Sequence, residues 1–293
     1  MISTLLLAML PLIALMLVGA ILAKRTSCLD GPAMNQLVSL VGIPALLLHS
    51  MQTMETSLTE LTNLMLAAFL FLISMATFAM AWLMPFLKTP QRYLPAVVNP
   101  NAAYLGLPVC VALFGDEAIL PVMVFSSMIQ VSHFTLGTAC LSSRWQPATL
   151  LKNPPIISMV IALTLLALDL KLPKPALDTL STLGQITLPL MLMQLGAAIV
   201  RLPFAQGISW QRPLGLALLR TIGGAMIAAL VFSGWPMAYR DYLIFVILSA
   251  MPVAVISHAM AQHHQGPADD IALTILLSLP LSLFSVGAIQ QLL

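Results

Sequence analysis

Charge is what this sequence lacks most. Only 8% of its 293 residues are Asp, Glu, Lys or Arg, against about 25% in an ordinary soluble domain. Ten acidic and twelve basic side chains cannot clothe a globule of this size. That excludes a soluble domain, a disordered chain and a nucleic-acid-binding surface. Cysteine is scarce too. Cys28, Cys110 and Cys140 are an odd number without metal-ligand spacing, so they read as small buried hydrophobes. No glycine-rich phosphate loop precedes a lysine, no HExxH occurs, and no Ser–Lys pair lies within an apolar run. Neither an enzyme nor a cofactor is expected. Positive charge is also missing ahead of the first apolar stretch, where a cleaved signal would carry it. Lys24 and Arg25 follow that stretch instead, as for a first spanning helix with its N-terminus outside.

What is present is hydrophobic: 60% of the chain. A spanning helix needs about 20 apolar residues. Ten spans fit, at roughly 3–23, 34–53, 63–87, 93–113, 118–141, 154–170, 181–200, 213–234, 241–262 and 270–292. The fold class is therefore all-α integral membrane, with short loops and the bilayer as solvent. Loops after odd-numbered spans carry eight basic residues: Lys24, Arg25, Lys88, Arg92, Arg144, Lys152, Arg201 and Arg212. Loops after even-numbered spans carry three: Lys171, Lys174 and Arg240. Basic residues favour the cytoplasm, which places both termini outside. Glu55, Glu60, Asp116 and Glu117 then fall in outer loops.

The halves resemble each other. Pro44 in span two and Pro189 in span seven are 145 residues apart. Pro100 follows the first by 56 residues and Pro252 follows the second by 63. Five spans per half, an odd number, require halves of opposite orientation, the inverted repeat of secondary transporters. The repeats are 1–145 and 146–293.

Span four reads Val98-Asn99-Pro100-Asn101-Ala102, with Pro95, Gly106 and Pro108 nearby. Pro100 lacks an N–H and clashes with the carbonyl four residues back, and Asn99 before it is driven toward extended geometry. The helix must break. A break in hydrocarbon is tolerated only where it is buried or lines a cavity. A half-helix beginning there offers free N–H groups and a positive dipole end to an anion, and Asn101 can add its amide. Span nine repeats the break at Pro252 without asparagines. Paired breaks are the best sequence pointer to a midplane site. The plain alternative is a pair of kinks that bind nothing.

Other polar points are fewer. Gln130 and His133 share a face of span five, and His133 either titrates and couples a proton or is hydrogen-bonded in the bundle. His49, Gln185, Gln194, His258 and Gln262 read as helix–helix glue or ligands. His263-His264 suits the headgroup region better than a metal site. Arg220 is the only charged side chain well inside a span. It either snorkels to the cytoplasmic surface or faces an inner vestibule and attracts anions. No carboxylate lies deep in any span, which counts against a sodium site or a proton pump.

The stretch NPNAAYLGLPVCVALFG, with Pro44 before it and Pro252 after it, resembles the auxin efflux carrier family. Asn99-Pro100-Asn101 is similar to the triplet at the broken fourth helix of the plant PIN-type exporters. Gly106-Leu107-Pro108 is similar to the bacterial carriers of malonate and malate. The resemblance implies broken helices four and nine crossing at the substrate site. It implies a scaffold of helices one, two, six and seven, a transport part of helices three to five and eight to ten, and a homodimer in a bacterial inner membrane. It implies that Asn101 or Asn99 binds a carboxylate, with Gln130 beside it. The candidate substrate-binding set is Asn99, Pro100, Asn101, Tyr104, Gln130, Pro252, Gln194 and His49. His133, His258 and Arg220 are candidates for coupling or electrostatics. The expected function is secondary transport of small organic anions by alternating access, such as malonate-like dicarboxylates or auxin-like acids. The alternatives are a sodium-coupled carrier of the bile-acid type and a membrane sensor that moves nothing. The long cytoplasmic loop of many plant members is absent, and span three has no ionisable residue between Asn63 and Leu87.

Overall fold

The computed structural model describes residues 2–29, 32–53, 57–142, 154–201 and 210–291. Among these the chain is nearly all helical and forms no β-strand. Among the described residues four helices are long and apolar enough to cross a membrane: Leu58–Leu83, Asp116–Leu141, Gln211–Phe232 and Ala268–Gln290. In chain order the helices begin with α1 (Ile2–Arg25), α2 (Pro32–Leu37), α3 (Ile43–Thr53) and α4 (Leu58–Leu83). Then come α5 (Leu94–Val98), α6 (Leu107–Phe114), α7 (Ile119–Ser132) and α8 (Thr138–Ser142). The second half holds α9 (Pro154–Ala167), α10 (Lys174–Arg201), α11 (Gln211–Leu218) and α12 (Gly224–Phe232). Last are α13 (Tyr239–Ser249), α14 (Val255–His263) and α15 (Ala268–Gln290).

Local chemistry sets several boundaries. α4 begins five residues earlier than hydrophobicity suggests because Ser57 caps it: Glu60 N donates to Ser57 Oγ at 3.1 Å. Ser57 and Glu60 have the spacing of a capping box. α9 is short, as its flanking prolines require. α10 starts seven residues before the apolar run, with Pro175 in its first turn, where a proline's missing N–H costs nothing. Among the described residues four π-turns interrupt helices, and each ends in glycine: Val38–Gly42, Ala102–Gly106, His133–Gly137 and Leu219–Gly223. Two of them precede a proline by one residue, at Pro44 and Pro108. A proline leaves the carbonyl four residues back without its donor, which favours the wider turn. Gly115, between α6 and the turn at Asp116, has φ 75° and ψ −167°, a conformation open in practice only to glycine.

The helices pack in two groups. In one, α1 lies on α10, α10 on α3, and α3 on α9. Glycines bring α1 and α10 into backbone contact, since a Cβ on Gly19 would stand 1.9 Å from Met193 O and one on Gly196 1.8 Å from Met16 O. In the other group α4 packs on α7 and α12, α12 on α13, α11 on α15, and α14 on α15. Its centre is a ring of four phenylalanines from α4, α7, α12 and α13. Phe71–Phe125 centroids are 5.6 Å apart, Phe125–Phe245 4.9 Å, Phe245–Phe232 5.4 Å and Phe232–Phe71 6.2 Å. All four rings are fully buried. Phe245→Ala therefore removes two ring contacts and leaves a void, at a cost of about 3 kcal/mol. A lower melting temperature of the purified variant would show it.

Of the three cysteines only Cys110 is buried; Cys140 is half-buried. Cys28 corrects the expectation of a buried hydrophobe. It is exposed in the turn after α1, with Sγ 3.0 Å from Thr26 Oγ1.

Candidate substrate site at the crossing of two broken helices

α5 stops where Pro100 demands it. Asn99 is extended, with φ −103° and ψ 105°, and 0% exposed. Its Nδ2 donates to Pro95 O at 3.1 Å. The side chain thus caps a carbonyl that the break has orphaned. α13 stops at Ser249, and five residues separate it from α14. The two gaps lie against each other. Pro100 and Val253 form an antiparallel bridge, and Asn101 N donates to Pro252 O at 2.8 Å. Val253 N is held from the other side by Ser278 Oγ of α15 at 3.2 Å. Both breaks are present as expected from the prolines, and backbone hydrogen bonding joins them.

Asn101 is 5% exposed. Its carbonyl accepts from Gly106 N at 3.0 Å, while its side-chain amide has no hydrogen-bond partner among the described residues. The π-turn that follows carries Tyr104, which is half-buried. α7 and α10 both pack on this turn. They carry Gln130, half-buried, and Gln194, buried. His49 is half-buried on α3, which packs on α7, α9 and α10. Gln185 and Gln262 are exposed.

His133 is buried, and its Nε2 lies 3.0 Å from Ser257 Oγ in the first turn of α14. Ser257 Oγ also donates to Pro95 O at 3.4 Å. Ser257 therefore joins the first half of one broken helix to the second half of the other, and His133 ties that junction to span five. His258, next along α14, is buried with Nε2 unpartnered among the described residues.

Arg220 corrects both sequence readings, since it neither snorkels nor opens to an inner vestibule. It is 0% exposed. Nη1 donates to Val97 O at 2.5 Å and Val98 O at 2.8 Å, and Nη2 donates to Ser249 O at 2.5 Å. These carbonyls belong to the last turns of α5 and α13, the C-terminal ends of both first halves. An orphan carbonyl buried in the bundle needs a donor, and water at the membrane surface is not there to supply one.

Two charged clusters stand at the helix ends. Asp270, at the start of α15, accepts from Tyr93 Oη and Arg212 Nη1, each at 2.8 Å. Arg92 donates to the carbonyls of His264 and Gln265 at 3.0 and 2.8 Å. At the start of α13, Arg240 pairs with Glu117 and, at 3.3 Å, with Asp241. Each cluster ties the start of a broken helix to a neighbour from the other half of the chain. Asp270→Asn removes a charge-assisted bond to a half-exposed Arg212 and weakens one to Tyr93. It is expected to cost about 1 kcal/mol, read as a small drop in melting temperature that vanishes at high salt.

Sequence reasoning missed Ser257, Ser278 and Asp270. A signal existed for one of them. Thr274, Ser278, Ser282 and Ser285 fall at intervals of four, four and three, and all are buried on α15, the spacing of one helix face.

Long apolar helices with two joined breaks define the class: a multi-pass membrane protein of the transporter kind. The profile of a family described as membrane transport protein matches residues 4–147 and again residues 140–289. The chain belongs to this family, the auxin efflux carriers, whose members are transporters rather than enzymes. Its surroundings are a lipid bilayer and its substrate a small molecule. No curated protein matches it significantly.

Proposed function

We propose that this chain is a secondary carrier of small organic anions, with malonate-like dicarboxylates as the first substrate class, working by alternating access. One observation carries the reading. The two helix breaks are hydrogen-bonded to each other, through Asn101 N and Pro252 O, and the Asn101 amide stands beside them unengaged. A carboxylate placed there takes that amide together with the free N–H groups where the second halves begin. Asn99 is committed to Pro95 O, so it shapes the break and Asn101 is the ligand. Tyr104, Gln130 and Gln194 line the approach.

The two packing groups support a division into scaffold (helices one, two, six and seven) and transport part, and the double family match supports a five-plus-five inverted repeat of ten spans. The transport part moves against the scaffold and exposes the crossing to each side in turn, within a homodimer. Export of one negative charge is favoured by ~2.3 kcal/mol per 100 mV and needs no ion. Uptake requires a co-transported cation, with a proton carried at His133 or His258.

The test is flux in proteoliposomes. Malonate efflux is expected to saturate, to rise with an interior-negative potential and to be blocked by Asn101→Ala. A well-folded protein that moves no carboxylate would instead be a sensor that keeps the fold. Orientation is tested by the exposed native thiol. With both termini periplasmic in a bacterial inner membrane, Cys28 faces the cytoplasm and resists a membrane-impermeant maleimide in intact cells. A cysteine placed at Lys171 should react. The reverse pattern would overturn the orientation.

A further inference from the structure

We propose that Arg220 is a tethered cation. It permanently fills the place where carriers with broken helices hold a mobile coupling cation, and the carrier therefore works without sodium. In such carriers the unwound carbonyls and half-helix C-terminal ends coordinate the coupling ion. Here three of those carbonyls, Val97 O, Val98 O and Ser249 O, are bound by the two terminal nitrogens of one guanidinium. They come from both broken helices, so a single side chain ties both first halves together.

The charges match. A helix C-terminus carries roughly −0.5 elementary charge, and two of them meet at Arg220, so the pair offers about −1. The guanidinium is always +1. Among the described residues no carboxylate pairs with it. The helix ends are its counter-charge. Space is shaped for the contact as well. A Cβ on Gly224 would lie 2.3 Å from Arg220 Nη2 and 2.3 Å from Ser249 O, so only glycine one turn on lets the guanidinium reach α13. With the carbonyl ends neutralised from within, the two second-half N-termini, about +0.5 each, are left for the substrate's carboxylate. This inference rests on the carrier reading for its flux arm alone.

The experiment compares the full-length parent with Arg220→Ala in detergent and in proteoliposomes. The parent's melting temperature and malonate flux are expected to stay unchanged when sodium is replaced by choline. Arg220→Ala is expected to melt lower and to lose about tenfold or more in flux. Millimolar guanidinium, filling the space the side chain vacates, should raise the variant's melting temperature and restore part of its flux. Equimolar sodium should not, and guanidinium should not raise the parent's melting temperature. The inference is overturned if sodium removal abolishes parental flux, if Arg220→Ala behaves as the parent, or if guanidinium leaves the variant unchanged. Should Arg220→Ala not fold, Arg220→Lys and Arg220→Met decide. A folded lysine variant beside an unfolded methionine variant supports the fixed charge, and a methionine variant equal to the parent overturns it. If the parent moves no malonate, the carrier reading fails, while the guanidinium melting arm still decides this one.

Discussion

Asn101→Ala is expected to bind malonate about ten- to a hundred-fold more weakly than the parent while melting at nearly the same temperature without ligand. The amide has no partner to lose within the protein, so its removal leaves nothing buried and unsatisfied. Pro100 still breaks the helix, and the backbone bond from residue 101 to Pro252 O survives the substitution. What disappears is a hydrogen bond to a charged ligand, about 1.5–3 kcal/mol, or one to two powers of ten. Ligand-induced stabilisation and flux should fall together. Parental affinity and rate would mean that the carboxylate does not sit at this break. Asn99→Ala should behave differently. It takes the shorter of two hydrogen bonds from Pro95 O inside the bundle and leaves only the long one from Ser257, so its melting temperature falls even without ligand.

Gly196→Leu is expected to yield no folded protein. Even an alanine there puts Cβ 1.8 Å from Met16 O and 2.6 Å from Met16 C. Those are backbone atoms, which cannot rotate aside. α1 and α10 would have to separate along their whole contact. Helix pairs in membranes depend on such close approach, because apolar side chains gain little by leaving lipid for protein. Overpacking commonly costs about 1–3 kcal/mol for a few atoms, and a leucine against main chain exceeds that. Gly19 makes the reciprocal contact at Met193 O, so Gly19→Leu should fail alike. Gly234→Ala, with nothing within 4 Å of its Cβ, is the silent control. A monodisperse Gly196→Leu with parental melting would show that α1 and α10 do not touch there.

Much of this protein is decided within short stretches of sequence. Its scarcity of charge makes it a membrane protein, since no folded globule can face water with so few ionisable groups. Pro100 and the Ala250–Ala254 stretch around Pro252 break their helices through effects that reach four residues at most, so both interruptions could be read without a structure. The capping role of Asn99 was within reach for the same reason. What lies far apart in sequence was not. Arg220 meets carbonyls 122, 123 and 29 residues away. Backbone carbonyls carry no residue identity, so no sequence pattern announces them as partners. Nor does the text of α1 and α10 say that Gly19 and Gly196 face each other, because glycine serves turns, caps and contacts alike. Position along the chain placed Arg220 in hydrocarbon and left surface and vestibule as its destinations. Only the meeting of two helix ends in one place created a third, where about one unit of negative charge was available without any acidic residue.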